Sequence, residues 1–440
     1  MKIRQRGIFA VGALLAAGSL VLSACGGAQP GQSGEATGSN GNGEASAWAL
    51  TGGTHEIIWR DSFDKWNTEN SDQSINVDWF ANDAYKEKIR TAIGSDNAPT
   101  LVFGWGGATL RDYVEAGKVV DITDNVKDSV DKLIPSIADG GIVDGKYYAL
   151  PNVGTQPVHM YYNKQLFEEQ GLEIPQTWDD LLNCVEKFKE AGIIPISLAG
   201  ASKWTSMMWL EYLFDRIGGS EVFDRIANGE KDAWSDPAAI EALGKAQELV
   251  KAGAFGDAYG SVVADANADV ALVHTGKAAM MLHGSWAYGT FMTDAPDFVK
   301  EGNLAFGAFP SIEGGKGDPS AVAGNQSNFW SVSAASSEQA QTAAKGYLNN
   351  LFDDEYVKAM VDGGDIPPTV GAEKFIKGSE QEDYLTFGYD IVLNSSNFQL
   401  SWDQELPSDT SQTLLDNIQL LFDLSITPEQ FADAMNATIK

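Results

Sequence analysis

Twelve of the 440 residues are tryptophan, and four of these stand where a core side chain would be out of place. Trp105 lies in the run Gly104-Trp105-Gly106-Gly107, directly after the apolar stretch Leu101-Val102-Phe103. Trp286 follows the apolar stretch 277–282 and the pair Gly284-Ser285; Trp204 belongs to the polar loop 200–206, and Trp402 to Ser401-Trp402-Asp403. An indole between glycines at the end of a strand has little local cover, and open α/β sheets bind ligands at the carboxyl ends of their strands. Flat aromatic faces pack on the C–H faces of sugar rings while neighbouring polar side chains read the hydroxyls. Leaving a buried polar group unmatched costs about 1–3 kcal/mol, which makes such a pocket selective. Asn325, Gln326 and Asn328 in the loop 324–328 supply uncharged groups of this kind, and Asn82 adds another. His159 and Asp403 read equally as hydroxyl contacts or as structural residues. Trp105 also reads as a core tryptophan beside a tight turn, and the loop 324–328 as a plain polar turn before the strand FWSVS. Trp59, Trp66, Trp79 and Trp178 lie inside periodic elements and read as core.

Other chemistries find no support in the residue pattern. There is no G-x-S-x-G elbow, no cysteine with a catalytic signature and no phosphate-cradling glycine loop. The four histidines, at 55, 159, 274 and 283, share no metal-ligand spacing, so no metal and no cofactor is expected. The 61 acidic residues offer so many carboxylate pairs that none points to a glycosidase. A formal charge of −31 argues against nucleic acid or an anionic membrane surface as a main partner.

The elements that must position these residues alternate. Residues 55–60 (HEIIWR), 75–80, 101–103, 158–163, 193–198, 277–282, 304–309 and 329–333 read as strands. Helices are expected over 62–70, 82–93, 164–170, 178–189, 207–217, 237–251, 337–352 and 354–361, and residues 143–150 read as a hairpin turning at Asp144-Gly145. Thr177 before Trp178-Asp179-Asp180 is a helix N-cap with acidic first-turn residues. Strands alternating with helices imply α/β architecture with mainly parallel sheets flanked by helices. The folded body is expected to begin near Gly53. Cys184 falls on a helix three residues after Leu181 and reads as a buried thiol.

The N-terminal segment reads as an address. Lys2, Arg4 and Arg6 precede an apolar run over 8–22 and the sequence Leu22-Ser23-Ala24-Cys25-Gly26-Gly27. That order resembles the signal peptide and lipobox of bacterial lipoproteins, which implies acylation of Cys25 after removal of residues 1–24. Residues 25–52 are then a Gly/Ser/Asn-rich tether, disordered over 26–47 with a reach of roughly 25 Å. This places the body on the outer face of a Gram-positive-type membrane, held by lipid alone.

Several motifs together resemble one family. They are GWGGATLRDYVEAGKVVDIT at 104–123, YALP at 148–151, YYNKQLFEEQGLEIPQTWDDLL at 161–182, GKAAMMLHGSWA at 276–287 and FGAFPSIEGG at 306–315. The chain resembles extracellular solute-binding proteins of family 1, the oligosaccharide receptors of ABC importers. The resemblance implies a periplasmic-binding-protein-like fold of two lobes with a ligand cleft at the hinge. It maps lobe 1 to 53–155 plus 311–364 and lobe 2 to 156–310 plus 365–440, with crossings near 156–158, 309–311 and 365–368. It implies stacking of sugar on Trp286, cleft positions for Trp105 and Trp402, no catalysis, ABC-transporter permease subunits as partners and a monomer. The stretch 104–121 looks closest to binders of xylo- or arabinoxylo-oligosaccharides, with fucosylated host oligosaccharides as the alternative. A surface glycosidase and a peptide or metal binder remain as other classes.

Overall fold

The computed structural model describes residues 44–439, so Cys25, the signal segment and most of the tether lie outside the described residues. In chain order the strands are β1 (Ala45–Leu50), β2 (Ile75–Phe80), β3 (Leu101–Gly104), β4 (Ile142–Val143), β5 (Lys146–Tyr147), β6 (Ala149–Pro151) and β7 (Gln156–Asn163). They continue with β8 (Ile194–Ser197), β9 (Ala278–Gly284), β10 (Leu304–Gly307), β11 (Val322–Asn325), β12 (Phe329–Val332) and β13 (Phe398–Leu400). One sheet has the order β2-β1-β3-β12-β6, the other β13-β11-β7-β9-β8 with β10 also on β7. Each is parallel except for one reversed strand: β12 runs against β3 and β6, and β7 runs against β9, β10 and β11. Both reversed strands are those that enter from the opposite sheet. The β4–β5 pair closes the hairpin at Asp144-Gly145. Among the described residues no helix is long and apolar enough to cross a membrane.

Each sheet has its own core. Ala47, Trp59, Phe103, Leu150, Trp330 and Met360 belong to the first; Met160, Leu181, Trp209, Leu282 and Trp402 belong to the largest cluster on the second. All eight residues of β7 are buried, as a strand covered on both faces requires. Cys184 is buried there, and burial pushes its thiol up to about 11. Helix Trp178–Glu190 opens with a reciprocal capping box between Thr177 and Asp180.

Two segments take a different secondary structure from the one their sequence suggests. Residues 45–50, read as tether, form β1, the strand between β2 and β3. Its Ala47 and Ala49 are fully buried small residues, which made a core strand look like linker. Residues 55–60, read as a strand, are the start of α1 (Gly53–Glu69). There Trp59 and Phe63, four apart, are buried while Ile57 is exposed, a helical rather than an alternating pattern.

Three segments cross between the sheets, at 152–155, 326–328 and 363–366. They bond to one another: Asn152 N donates to Asn328 O (2.8 Å), Thr155 N to Ile366 O (3.0 Å) and Gly154 N to the Asp365 carboxylate (2.9 Å). The middle crossing differs from the expected 309–311. β11 pairs with β7 and β13, so residues up to Asn325 stay with the second sheet.

Candidate functional site

A cavity of about 350 Å³ is lined from both halves of the molecule, within the size range of small-ligand sites. Its three exposed-edge tryptophans share one structural origin. Trp105 follows β3, Trp204 opens the helix Trp204–Gly218 after β8, and Trp286 opens the helix Trp286–Asp294 after β9. All three sit past the carboxyl ends of parallel strands, where helix and loop leave the sheet edge uncovered.

The second-sheet side forms an aromatic corner. Trp204 and Trp286 have ring centroids 6.0 Å apart, and His283 lies 5.5 Å from Trp204 and 5.3 Å from Trp286. Gly284 is required by this corner: a Cβ there would fall 1.9 Å from the Trp286 ring, so the indole lies directly over the glycine. On the first-sheet side Trp105 packs edge-on against Phe103 (5.2 Å) and Tyr85 (6.0 Å), with Lys86 Nζ 4.8 Å from its centroid.

The polar lining is largely self-paired. Lys86 bridges to Asp403 at 3.0 Å, and His283 Nε2 lies 3.3 Å from Asp269. Asn325 donates to Gln156 Oε1 at 3.4 Å, while the side-chain oxygens of Asn325 and Asn328 have no partner. Desolvation raises the Asp265 carboxyl above its ordinary range.

Of the residues singled out from sequence, the cavity brings together Trp105, Trp204, Trp286, Asn82, Asn325, Asn328 and Asp403. Three others lie elsewhere. Gln326 is half-buried away from the cavity, its amide donating to Ser136 O at 3.5 Å. His159 is fully buried in β7, bonded to Tyr384 OH and Met160 O, and burial lowers its pKa to about 3, leaving it neutral. Trp402 is a core residue, stacked on Phe223 (4.9 Å, 8°) and edge-on to Phe214 and Trp234. Its neighbour Asp403, one position along the same short helix, points the other way into the cavity. Polar lining residues that the sequence did not point to include Lys86, Gln156, Asp265, Asp269, His283 and Gln404. Among them only His283 carried a signal, its place directly before Gly284-Ser285-Trp286 at the end of a strand.

Beneath Trp402 lies a buried acid. Glu211 Oε1 accepts from Trp402 N at 2.9 Å, Oε2 has no partner, and desolvation pushes the carboxyl up to about 8. An unfolded glutamate ionises near 4.3, so the folded chain holds a proton that the unfolded chain has lost. The contribution of Glu211 to stability therefore falls as pH rises from about 4.5 to about 8, by an amount on the order of 4 kcal/mol. Glu211→Gln should remove that slope and leave the protein more stable than wild type at pH 8. Urea unfolding at pH 5, 6.5 and 8 measures it; parallel pH profiles for the two proteins would contradict the assignment.

The geometry agrees with what the chain is similar to. A solved structure described with xylan utilisation by the thermophilic bacterium Caldanaerobius polysaccharolyticus superimposes with a TM-score of 0.80 at 29% identity, covering 90% of this chain and 100% of that one. A chitin oligosaccharide binding protein shares the fold, with a TM-score of 0.77 at 23% identity over 88% of this chain and 97% of its own. Among curated proteins, an uncharacterized ABC transporter extracellular-binding protein of Pyrococcus horikoshii is 30% identical over 46% of this chain and 45% of its own length. A probable sugar-binding periplasmic protein of Mesorhizobium japonicum is 29% identical over 49% and 52%, and an arabinooligosaccharide-binding protein of Halalkalibacterium halodurans is 24% identical over 61% and 59%. The chain spans about half the length of the curated relatives it matches first. The sequence profile described as bacterial extracellular solute-binding protein matches residues 52–358. The chain belongs to the bacterial extracellular solute-binding protein family.

Proposed function

We propose that this protein is a non-catalytic receptor that captures a neutral oligosaccharide in the tryptophan-lined cavity and delivers it to the permease of an ABC importer. The observation that carries this reading is the placement of Trp105 on one side of the cavity and Trp204 with Trp286 on the other. Two such platforms, in a cavity also lined by Asn82, Asn325, Asn328 and Asp403, suit the faces and the hydroxyl rim of a sugar ring. An uncharged ligand fits the electrostatics. The one lysine of the lining is engaged by Asp403, so an anionic ligand would meet carboxylates and no free cation. Closure of the lobes around the sugar follows if ligand contacts from both sides favour the closed state.

Within that class we favour xylo- or arabinoxylo-oligosaccharides. The xylan-associated structure and the arabinooligosaccharide-binding relative support the choice. Lipid attachment through Cys25, on the outer face of the membrane, completes the proposal; the mass of the mature N-terminus tests it.

Calorimetry against xylo-, arabino-, fucosyl- and malto-oligosaccharides, with peptides and zinc as controls, tests the function. Saturable heat with a pentose oligosaccharide and none with peptide or zinc is expected. A response to peptide or zinc alone would overturn the reading, and release of shorter sugars during incubation would make the protein a glycosidase.

A further inference from the structure

The N-terminal half of α2 (Asn82–Gly94) belongs with the first sheet, yet one of its faces makes a series of polar bonds to the second, beside the local Asn82–Asp83 bond and the Lys86 contact with Trp105. Residues 83, 86 and 90, spaced three and four apart, lie on one side of the helix. At the helix start no local side chain supplies a cap; instead Asp265, from the segment before β9, accepts the Asp83 N–H at 2.9 Å. The Asp83 carboxylate accepts from Trp204 Nε1 at 3.1 Å, at the start of the helix after β8, and from Ser202 Oγ at 2.9 Å, on the loop before it. One turn on, Lys86 reaches Asp403 at 3.0 Å, and another turn on Arg90 donates to Gln412 at 3.3 Å. The helix thus has its first-turn N–H and three side chains satisfied across the cleft. Only when the two halves approach do these bonds exist.

Asp83 does not line the cavity, but Trp204 does. Trp204 is half-buried, and its single polar atom is held by Asp83 and by nothing else that the structure records. The carboxylate fixes the indole through its N–H, and with it the plane of one wall of the aromatic corner. A charge-assisted bond of this kind is stronger than a neutral one, whereas the exposed Arg90–Gln412 contact adds little.

We propose that the Asp83–Lys86–Arg90 face of α2 is an inter-lobe latch that forms on closure, and that Asp83 is a positioning residue that sets the Trp204 indole against the ligand. The second part rests on the sugar-binding reading; the first does not. In an open molecule the α2 N-terminus and Asp83 are hydrated, so closure exchanges water for Asp265, Ser202 and Trp204. Such an exchange stabilises modestly, which keeps the latch weak without ligand and lets ligand decide its state. Loss of the latch should act on dissociation, because it holds the closed complex, and not on the encounter.

The test uses the full chain with Asp83→Ala, Asp83→Asn, Trp204→Phe and the double variant Asp83→Ala/Trp204→Phe. Sugar binding is measured as on- and off-rates, and spin labels on the two lobes report their separation with and without ligand. Asp83→Ala should raise the off-rate about tenfold with the on-rate within twofold and the ligand-free melting temperature nearly unchanged. Asp83→Asn, which keeps an acceptor for the indole N–H, should recover much of the loss. In the Trp204→Phe background, where the donor is gone, Asp83→Ala should cost clearly less than it does alone. Without ligand, Asp83→Ala should reduce the closed fraction of the lobe-separation distribution. Unchanged off-rate and unchanged lobe separations would overturn the latch, and full additivity of the two substitutions would overturn the positioning role. If the wild-type protein binds no sugar, the functional reading fails while the lobe separations still decide the latch.

Discussion

Trp286→Ala should weaken binding of the sugar ligand at least tenfold, a loss of about 1.4 kcal/mol or more, with a much smaller effect on the unliganded fold. The ring neighbours of Trp286 are Trp204 and His283, which themselves line the cavity, so its removal strips the ligand platform more than the core. Trp105→Ala makes the informative contrast. Its ring is braced by Phe103 and Tyr85, both core residues, and covered by Lys86. That variant should lose affinity and melt lower, since truncating packed aromatic contacts costs stability as well. Calorimetric titration and thermal melts of the two variants separate the roles. A Trp286→Ala protein that is unfolded without ligand would make Trp286 a core residue.

The alternating elements were legible because helix and strand periods differ and because caps such as Thr177 mark the starts. The strand-end tryptophans were legible for the same reason, as the strands before them were plain. What stayed hidden depends on contacts between distant segments. Trp402 in Ser-Trp-Asp has the local look of a loop residue, and only Phe214, Phe223 and Trp234, far earlier in the chain, make it core. β1 was hidden by its alanines, whose small size suits a strand squeezed between two others and equally suits a linker. Asp83 and Lys86 look like ordinary surface charges of an amphipathic helix, and no local feature distinguishes them from Glu87 or Lys88. Their partners, Asp265, Trp204 and Asp403, are supplied by the other sheet. β11 had no pattern that assigned it to either sheet; its pairing with β7 and β13 decides the crossing point.

Gly107→Ala should reduce affinity by about 100-fold, roughly 2.7 kcal/mol, without altering any residue that touches the ligand. Gly107 opens α3 (Gly107–Glu115) at φ +60, and a Cβ on it would stand 2.4 Å from Gln404 O and 2.9 Å from Leu400 Cδ2, both on the opposite side of the cleft. The backbone carbonyl cannot step aside as a flexible side chain would, so the methyl group must hold the lobes apart. The same side of α3 carries Arg111, bound to Glu405 at 3.0 Å, and Asp112, accepting from Ser408 at 3.0 Å, so separation there also breaks polar contacts. Left-handed backbone strain alone costs an alanine roughly 1–2 kcal/mol and would lower the melting temperature by itself. Gly117→Ala controls for that. Gly117 has φ +64, and a Cβ on it would meet no atom within 4 Å, so it carries the strain without the wedge. Both variants should melt lower than wild type, but only Gly107→Ala should lose affinity and show a wider lobe separation in the presence of ligand. Equal affinity losses in the two would assign the effect to backbone strain. An unimpaired Gly107→Ala protein would mean that the ligand is held without the lobes meeting at Gln404.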